Sequence, residues 1–509
     1  MRTFRDAIDA HAATRPDAPC VLAPEPDAVL TYRELARTAH ALGAYLAQQG
    51  IPPGSVVSFM LPNGIAAACV FLGAMYAGYV VSPVNLIAQD TQLAYTLAHS
   101  GTRIVFAAPE FIDRLQALRP RDGTDIVLRA TDPDRLDLPD APATALAALT
   151  EESPAMLMYT SGTTGEPKGA LLRHRNMIHA GSVVTAAQRL RDTDRVLSSL
   201  PLYHINGQCI ATVAPIVSGG SIVMPHRFSA SQWWPLVERY RPTWLNVVPT
   251  IIAYLLNGPD LTPGQAEACR GVRFGRSASA PLPPEQHRAF EHRFGISVIE
   301  AMGLTETASI AFANPLDAGQ RKYGSAGLPL GVEARVVAPD RSVLGDGERG
   351  EIQLRGESVM AGYYLDPERT AQVLSGDGWL STGDLGYRDV EGFYFITGRL
   401  KELIIKGGEN IAPREIDEAL MRHPAVLEAA AVGIPDPEYG QDILACVVLK
   451  PGARCDEAEL RAHCLEQLGR YKTPRLLRLV AALPKGPSGK VQRLRLLALG
   501  GEEANSTST

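Results

Sequence analysis

The first part of the chain alternates short apolar runs with segments of helical periodicity. The segment YRELARTAHALGAYLAQQG (32–50) carries apolar residues at helical spacing and ends at Gly50, a residue type that favours the end of a helix. Runs of strand length lie between such segments: SVVSFML (55–61), TRIVFAA (102–108), SIVMP (221–225), TWLNVVP (243–249) and SVIEAMG (297–303). This alternation predicts an α/β fold in which helices cover buried, largely parallel strands.

The pattern changes near residue 325. Short runs such as EARVVAP, GEIQLRG and GFYFITG, separated by turn-forming residues, predict a β-rich subdomain. Beyond TGRLKELIIKGGEN, the segment PREIDEALMRH predicts a helix that begins at Pro413, and strands and a second helix follow. We therefore predict a large N-terminal domain of layered α/β subdomains plus the β-rich subdomain, and a small mobile α+β C-terminal domain. The predicted bounds are 1–398 for the N-terminal domain, 399–401 for a hinge, 402–500 for the C-terminal domain and 501–509 for a disordered tail.

The stretch GIAAACVFLGAMYAGYVV (64–81) has no charge over 18 residues, which is the length of a membrane-span candidate. Its Ala and Gly content allows close packing, the breaker AGY divides it, and no cluster of Lys or Arg flanks it. We predict a buried helix followed by a buried strand, and no membrane span.

Composition narrows the function. Lys+Arg 49 against Asp+Glu 55 give a net charge of −6, so no nucleic-acid partner is expected. The seven cysteines form no C-x-x-C pair, which argues against a disulfide framework or a zinc site and indicates a reducing cytoplasm. The N-terminal MRTFRDAIDAHAATRPDAP lacks the apolar core of a signal peptide.

The loop YTSGTTGEPKG (159–169) has the glycines, hydroxyls and lysine that suit a phosphate. It is not a Walker A loop, because Pro167 interrupts the required spacing and Lys168 is followed by glycine. The continuation GALLRH predicts a strand, whereas a P-loop opens a helix. By itself, the loop could also be a polar surface turn.

Four further motifs follow in order: EAMGLTET (300–307), WLSTGDLGYRD (379–389), GRLKELIIKGGEN (398–410) and LPKGPSGKVQR (483–493). Each has a structural explanation when taken singly, such as a turn former at Asp384, a helix-start cap at Glu306 or a solvated lysine at Lys490. Together and in this order, they resemble the adenylate-forming superfamily of acyl-CoA synthetases, standalone adenylation domains and luciferases. The resemblance covers nearly the whole chain, from LTYRELARTAHALGAYL to Lys490.

The resemblance implies an ATP- and Mg²⁺-dependent enzyme that makes an acyl-adenylate and then a thioester of coenzyme A. It implies a loop over the β- and γ-phosphates formed by Thr160, Ser161, Gly162, Thr163, Thr164, Gly165 and Lys168. Thr164 and Glu306 would hold Mg²⁺, and Thr305 would contact phosphate. Adenine and the acyl pocket would be flanked by Ser279, Ala280, Glu300, Ala301, Met302 and Gly303.

The same resemblance assigns the ribose hydroxyls to Asp384, helped by Arg399. Lys490 would bridge the reacting carboxylate and the α-phosphate, where two anions must approach and a compact positive charge is needed. His204, in LPLYHINGQC, would gate the acyl site. A rotation of the C-terminal domain about Lys401 would then bring Gly407 and Gly408 to pantetheine and make Lys472 a candidate contact for a CoA phosphate.

The acid is predicted to be short or polar. RSASAPLP (276–283) and LTETASIAFANPLDAGQRKYGSAG (304–327) resemble ligases for oxalate and malonate, and YHINGQC resembles carnitine-type ligases. The match departs from the oxalate type at Asn206 and Ser309, where histidines are expected. It also departs from the malonate type, which carries an arginine near 275, because this chain has Gly275 and then Arg276.

Several alternatives stay open, and some of them share the first step with a CoA synthetase. The enzyme could load an acyl or aminoacyl group onto a carrier-protein phosphopantetheine or stop at the adenylate, although KGGEN followed by IAPREIDEAL resembles CoA synthetases more closely. A luciferase-like oxygenase stays open on motifs alone. A non-catalytic adenylate-binding protein would be expected to lose Lys490, Glu306 or Asp384, and all three are present. A homodimer is also left open.

Overall fold

The computed structural model describes residues 1–119, 125–142, 144–160, 167–485 and 491–500. Ser161, Gly162, Thr163, Thr164, Gly165 and Lys490, and the predicted tail 501–509, lie outside the described residues.

The strands, in chain order, are β1 (Pro19–Ala23), β2 (Ala28–Thr31), β3 (Val56–Met60), β4 (Val80–Pro83), β5 (Ile104–Ala107), β6 (Val127–Ala130), β7 (Pro154–Thr160), β8 (Lys168–Arg173), β9 (Arg195–Ser198), β10 (Ser221–Val223), β11 (Trp244–Val247), β12 (Phe274–Ser277), β13 (Val298–Met302), β14 (Phe312–Ala313), β15 (Leu328–Pro329), β16 (Glu333–Val337), β17 (Gly350–Arg355), β18 (Gly362–Tyr363), β19 (Leu380–Arg388), β20 (Tyr394–Arg399), β21 (Ile404–Lys406), β22 (Glu409–Ile411), β23 (Val426–Asp436), β24 (Gly440–Leu449) and β25 (Leu476–Leu479).

The α-helices are α1 (Phe4–Thr14), α2 (Tyr32–Gln48), α3 (Ile65–Ala77), α4 (Asp90–Ser100), α5 (Ile112–Ala117), α6 (His174–Ala187), α7 (Ala214–Ser218), α8 (Ala230–Tyr240), α9 (Pro249–Leu256), α10 (Pro263–Cys269), α11 (Pro284–Phe294), α12 (Pro367–Val373), α13 (Pro413–Met421) and α14 (Glu457–Lys472). Short 3₁₀ turns span Pro109–Phe111, Thr305–Thr307, Ala318–Gln320, Leu400–Glu402 and Arg493–Leu499, and a π-helix spans Asn206–Val213.

Two large sheets form the centre of the N-terminal domain. In the described part of the chain, one has the order β18-β8-β7-β4-β3-β5-β6, and the other β15-β14-β13-β12-β11-β9-β10-β1-β2. Their inner strands are parallel, whereas β8 and β18 in one sheet, and β2, β14 and β15 in the other, pair antiparallel at the edges. The predicted α/β class with largely parallel strands is confirmed.

Most of the uncharged stretch 64–81 forms helix α3. It packs against α2 and lies between the two sheets, where it contacts β3 and β4 of one and β1 of the other. Twelve of its thirteen residues are buried, as expected for a helix that is apolar all round. β4 then follows as a buried strand, so the predicted helix and strand are confirmed. In the described ranges, no helix has the length and apolarity that a membrane crossing requires.

The β-rich subdomain is an antiparallel sheet of order β16-β17-β19-β20. The chain then passes through the 3₁₀ turn Leu400–Glu402 to the C-terminal unit, where α13, α14 and a sheet containing β21–β25 share one core. Pro413 occupies the first turn of α13, as predicted, and Ile416 and Leu420 are buried on one face. The predicted domain bounds and the hinge at 399–401 stay predictions, although the turn coincides with them.

Gly327 joins the second large sheet to the β-rich subdomain. Its φ is +106°, and its carbonyl oxygen accepts a 2.9 Å hydrogen bond from the Tyr394 backbone N–H. A Cβ here would overlap the backbone carbonyl of Ala313.

We therefore expect Gly327→Ala to lower the free energy of unfolding by at least about 2 kcal/mol, because backbone strain adds to steric overlap. Gly50→Ala is the matched control: Gly50 also has a positive φ, +67°, but nothing lies within 4 Å of its Cβ position. It should cost only about 1 kcal/mol. Differential scanning calorimetry measures both, and equal shifts in melting temperature would contradict this account of Gly327.

Candidate active site

A cleft of about 2720 Å³ lies between the N-terminal domain and the C-terminal unit. Its N-terminal wall includes residues that follow the carboxyl ends of neighbouring parallel strands: Leu200 after β9, Val248 after β11, Ser279 after β12 and Gly303 after β13. The carboxyl ends of parallel strands are where ligands bind in open α/β sheets. The opposite wall includes Asn410, Val432 and Gln441.

Thr160 and Lys168 mark one end of the cleft. They end β7 and begin β8 as paired residues, so the intervening loop is tied at both ends to the cleft wall. β8 confirms the predicted strand after Lys168. The Lys168 ammonium lies 5.0 Å from the centre of the Tyr363 ring. Burial lowers the pKa of Lys168, and the charges of Lys401 and Arg369 lower it further.

Glu306 lies beside this cationic group. The 3₁₀ turn Thr305–Thr307 carries it after β13, and both Thr305 and Glu306 line the cleft. The Tyr363 hydroxyl donates a 2.8 Å hydrogen bond to Glu306 Oε1, and burial raises the pKa of Tyr363. Tyr363 thus contacts both the lysine and the carboxylate. No sequence motif points to Tyr363, and the pairing of β18 with β8 brings it here.

Asp384 and Arg399 face each other across β19 and β20. Arg399 Nε donates to Asp384 Oδ1 at 2.8 Å, and the Asp384 charge raises the pKa of Arg399. The Asp384 side chain is 3% exposed, whereas Arg399 is 48% exposed and lines the cleft. The two residues predicted for the ribose are therefore brought together.

The part of the cleft that is predicted to hold the acyl group, its acyl end, carries polar side chains. Asn206 Nδ2 donates to Ser279 Oγ at 3.1 Å, and Asn246 Nδ2 donates to Asn206 Oδ1 at 3.2 Å. Ser279 has a φ of +75°, an uncommon conformation that concentrates at functional sites. His204 precedes the π-helix that carries Asn206, and it also lines the cleft. Asn246 was not predicted, and its only sequence signal is a polar residue inside the apolar run TWLNVVP.

Three predicted site residues on β13 lie outside the cleft lining. Glu300 is buried and accepts a 3.0 Å hydrogen bond from the Leu282 N–H, and burial raises its pKa to about 7. Ala301 and Met302 follow it, and none of the three lines the cleft. Gly303 does, and a side chain there would overlap the Ser309 carbonyl. Ala280 is exposed and outside the cleft lining.

The C-terminal residues are only partly gathered at the cleft. Lys401 lines it, at the 3₁₀ turn between β20 and β21. Gly407 and Gly408 form the turn between β21 and β22, with φ of +54° and +86°, away from the cleft lining. Lys472 is also outside it and forms an ion pair with Glu415, which in turn accepts from Arg349 of the N-terminal domain at 3.3 Å.

Comparisons with known proteins identify the family of the chain. Residues 8–364 match the AMP-binding enzyme family, and 415–490 match the AMP-binding enzyme C-terminal domain. The chain is 57% identical to a sulfoacetate–CoA ligase of Cupriavidus necator over 97% of both chains. It is 32% identical to an oxalate–CoA ligase of Arabidopsis thaliana over 89% of this chain and 90% of that one.

Solved structures show the same fold. The chain superposes on ATP-bound MatB from Rhodopseudomonas palustris with a TM-score of 0.90, at 30% identity over 98% of this chain and 99% of that one. On apo MatB from the same organism the TM-score is 0.78, with 98% of each chain covered. The chain belongs to the AMP-binding enzyme family, and it is an AMP-forming carboxylic acid–CoA ligase for a small polar acid that uses ATP, Mg²⁺ and coenzyme A.

Proposed function

We propose that the acid is sulfoacetate, which the enzyme activates as an acyl-adenylate with release of pyrophosphate and then transfers to coenzyme A with release of AMP. The observation that carries this proposal is the hydrogen-bonded chain of Asn246, Asn206 and Ser279 at the acyl end, because an apolar acid would need hydrophobic walls there. The 57% identity to the Cupriavidus necator sulfoacetate–CoA ligase supports the same acid.

Glu306 and Thr164 are the proposed Mg²⁺ ligands. Glu306 fits, because its carboxylate is on the cleft wall and Mg²⁺ prefers oxygen ligands. Bound Mg²⁺ would supply charge neutralisation for the triphosphate. Tyr363 fixes the Glu306 carboxylate through the 2.8 Å hydrogen bond from its hydroxyl.

The proposed phosphate contacts are Lys168, Thr160, Thr305 and the loop from Ser161 to Gly165. The position of Lys168 at the start of β8 supports a role in steadying the departing pyrophosphate, since it brings a cation to the end of the cleft where the loop begins. The loop itself lies outside the described residues.

The nucleoside would lie between two sets of residues. Asp384 binds the ribose hydroxyls, and Arg399 holds the Asp384 carboxylate in place through their 2.8 Å contact. Adenine and the acyl group are flanked by Ser279, Ala280, Glu300, Ala301, Met302 and Gly303. Of these, Ser279 and Gly303 contribute directly to the cleft wall.

The second half-reaction needs a different domain arrangement. The higher TM-score to ATP-bound than to apo MatB supports the adenylation arrangement for the present one. Rotation about Lys401 would bring Gly407 and Gly408 to pantetheine, with His204 gating the acyl site. It would also separate Arg349 from Glu415, and Lys472 would then exchange Glu415 for a CoA phosphate.

A carrier-protein phosphopantetheine as a further acceptor stays a prediction, and so does a homodimer. The use of ATP and CoA supports a cytoplasmic location for the enzyme.

An acid panel tests the substrate. With Mg²⁺ and ATP, we expect sulfoacetate to give CoA-dependent AMP and a sulfoacetyl-CoA thioester detected by mass spectrometry. Its kcat/KM should exceed those of benzoate and octanoate by at least about 10²-fold, because neither apolar acid can satisfy the buried amides. Thioester formation only on an added carrier protein would favour the alternative acceptor, and preference for octanoate would contradict the proposed acid.

Lys490→Ala tests the catalytic lysine. Adenylation, measured as acid-dependent pyrophosphate release, should fall on the order of 10²–10³-fold, the usual loss for one preorganised stabiliser. Thioester formation from a supplied acyl-adenylate should stay close to wild type. Lys485→Ala is the matched control, since Lys485 pairs with Glu428 at 2.5 Å and should affect neither half-reaction. Equal loss of both half-reactions in Lys490→Ala would contradict this role.

A further inference from the structure

Arg276 is an arginine buried without a counter-charge. It lies in β12, its relative exposure is 0%, and Nε, Nη1 and Nη2 have no hydrogen-bond acceptor among the described residues. Burial lowers the pKa of Arg276 to about 10, and no carboxylate contributes to that shift. A buried charge of this kind is costly unless an anion compensates it.

The register of the sheet places this guanidinium behind the acyl end. Arg276 is directly opposite Asn246 in the parallel pair β11–β12, and directly paired residues project their side chains to the same face. On that face, Asn246 reaches Asn206, and Asn206 reaches Ser279. Asn206 and Ser279 line the cleft, whereas Arg276 and Asn246 are fully buried and outside its lining.

The neighbouring amide on β11 is also incompletely paired. Asn246 Oδ1, on the residue directly paired with Arg276, is buried and has no donor within the described parts of the chain. Buried polar atoms are normally satisfied, so this pair of residues is an exception that needs an explanation.

We propose that Arg276 is the receptor for a second anionic group of the acid, one distal to the carboxylate that reacts with ATP. The planar guanidinium matches an oxyanion with two parallel N–H donors, which suits a sulfonate or a carboxylate. The Asn206 amide, which bridges Asn246 and Ser279, moves aside to admit this group. This inference rests on the proposed function of the cleft and makes Arg276 the residue that selects doubly charged over singly charged acids.

Substitution of Arg276 separates the two charge types. We measure kcat/KM for sulfoacetate, malonate and propanoate, which carry a distal sulfonate, carboxylate and methyl group. In Arg276→Gln, kcat/KM for the preferred doubly charged acid should fall on the order of 10²–10³-fold, mainly through KM. Propanoate turnover and the KM for ATP should change only a few-fold. Arg270→Gln, an exposed site outside the cleft, should match wild type in every assay.

Stability distinguishes binding from structure. Because the variant removes an uncompensated buried charge, the ligand-free melting temperature of Arg276→Gln should equal or exceed that of wild type. Wild type should be stabilised more by the preferred doubly charged acid than by propanoate, and Arg276→Gln should lose that difference. If Arg276→Gln does not fold, Arg276→Lys keeps the charge and should retain part of the preference.

The outcomes separate the two proposals. A preference for malonate over sulfoacetate that disappears in Arg276→Gln supports the receptor and overturns sulfoacetate as the acid. Equal losses for propanoate and the doubly charged acids, together with a lower melting temperature, show a structural role and overturn the receptor. The receptor role is also overturned if the ratio of kcat/KM for doubly charged acids to kcat/KM for propanoate is the same in the variants as in wild type. This holds even if CoA thioester formation is intact.

Discussion

Repulsion between anions is the constraint on which this structure depends. The carboxylate of the acid must reach the α-phosphorus of ATP, and each carries negative charge that water would otherwise screen. We propose that the protein meets this constraint with cations that are fixed before the substrates arrive. Lys168, Lys401 and Arg399 line the cleft, and Arg276 lies behind its acyl end. These charges come from different sheets, because Lys168 is in β8, Arg276 in β12 and Arg399 in β20 of the β-rich subdomain.

Much of this arrangement is predictable from sequence. The alternation of apolar runs and helical segments predicts the layered α/β domain, and the uncharged stretch predicts α3 and β4. The resemblance that the ordered motifs carry also predicts several residues that line the cleft, among them Lys168 and Arg399. Ser279 follows β12 and Glu306 follows β13, and both line the cleft because parallel strands bring their carboxyl ends to one edge of a sheet.

Contacts that depend on which residues are opposite each other in paired strands are not predictable from the sequence in the same way. Tyr363 reaches Glu306 because β18 pairs with β8, and Asn246 lies opposite Arg276 because β11 pairs with β12. Apolar periodicity shows that a strand is buried but not which polar residue inside it has a partner. The ion pairs of Glu415 with Lys472 and Arg349 likewise depend on how the C-terminal unit meets the N-terminal domain. Of these residues, Asn246 and Arg276 belong to the proposed acyl end of the cleft.

The central claim is that charge at both ends of one cleft selects and activates a small, doubly charged acid. A crystal structure with a non-hydrolysable sulfoacetyl-adenylate analogue tests it most directly. The account predicts the ribose at Asp384, the single phosphoryl group beside Lys490, and two sulfonate oxygens within about 3 Å of the Arg276 guanidinium. A sulfonate that points into solvent, with Arg276 still buried and unpaired, would contradict it.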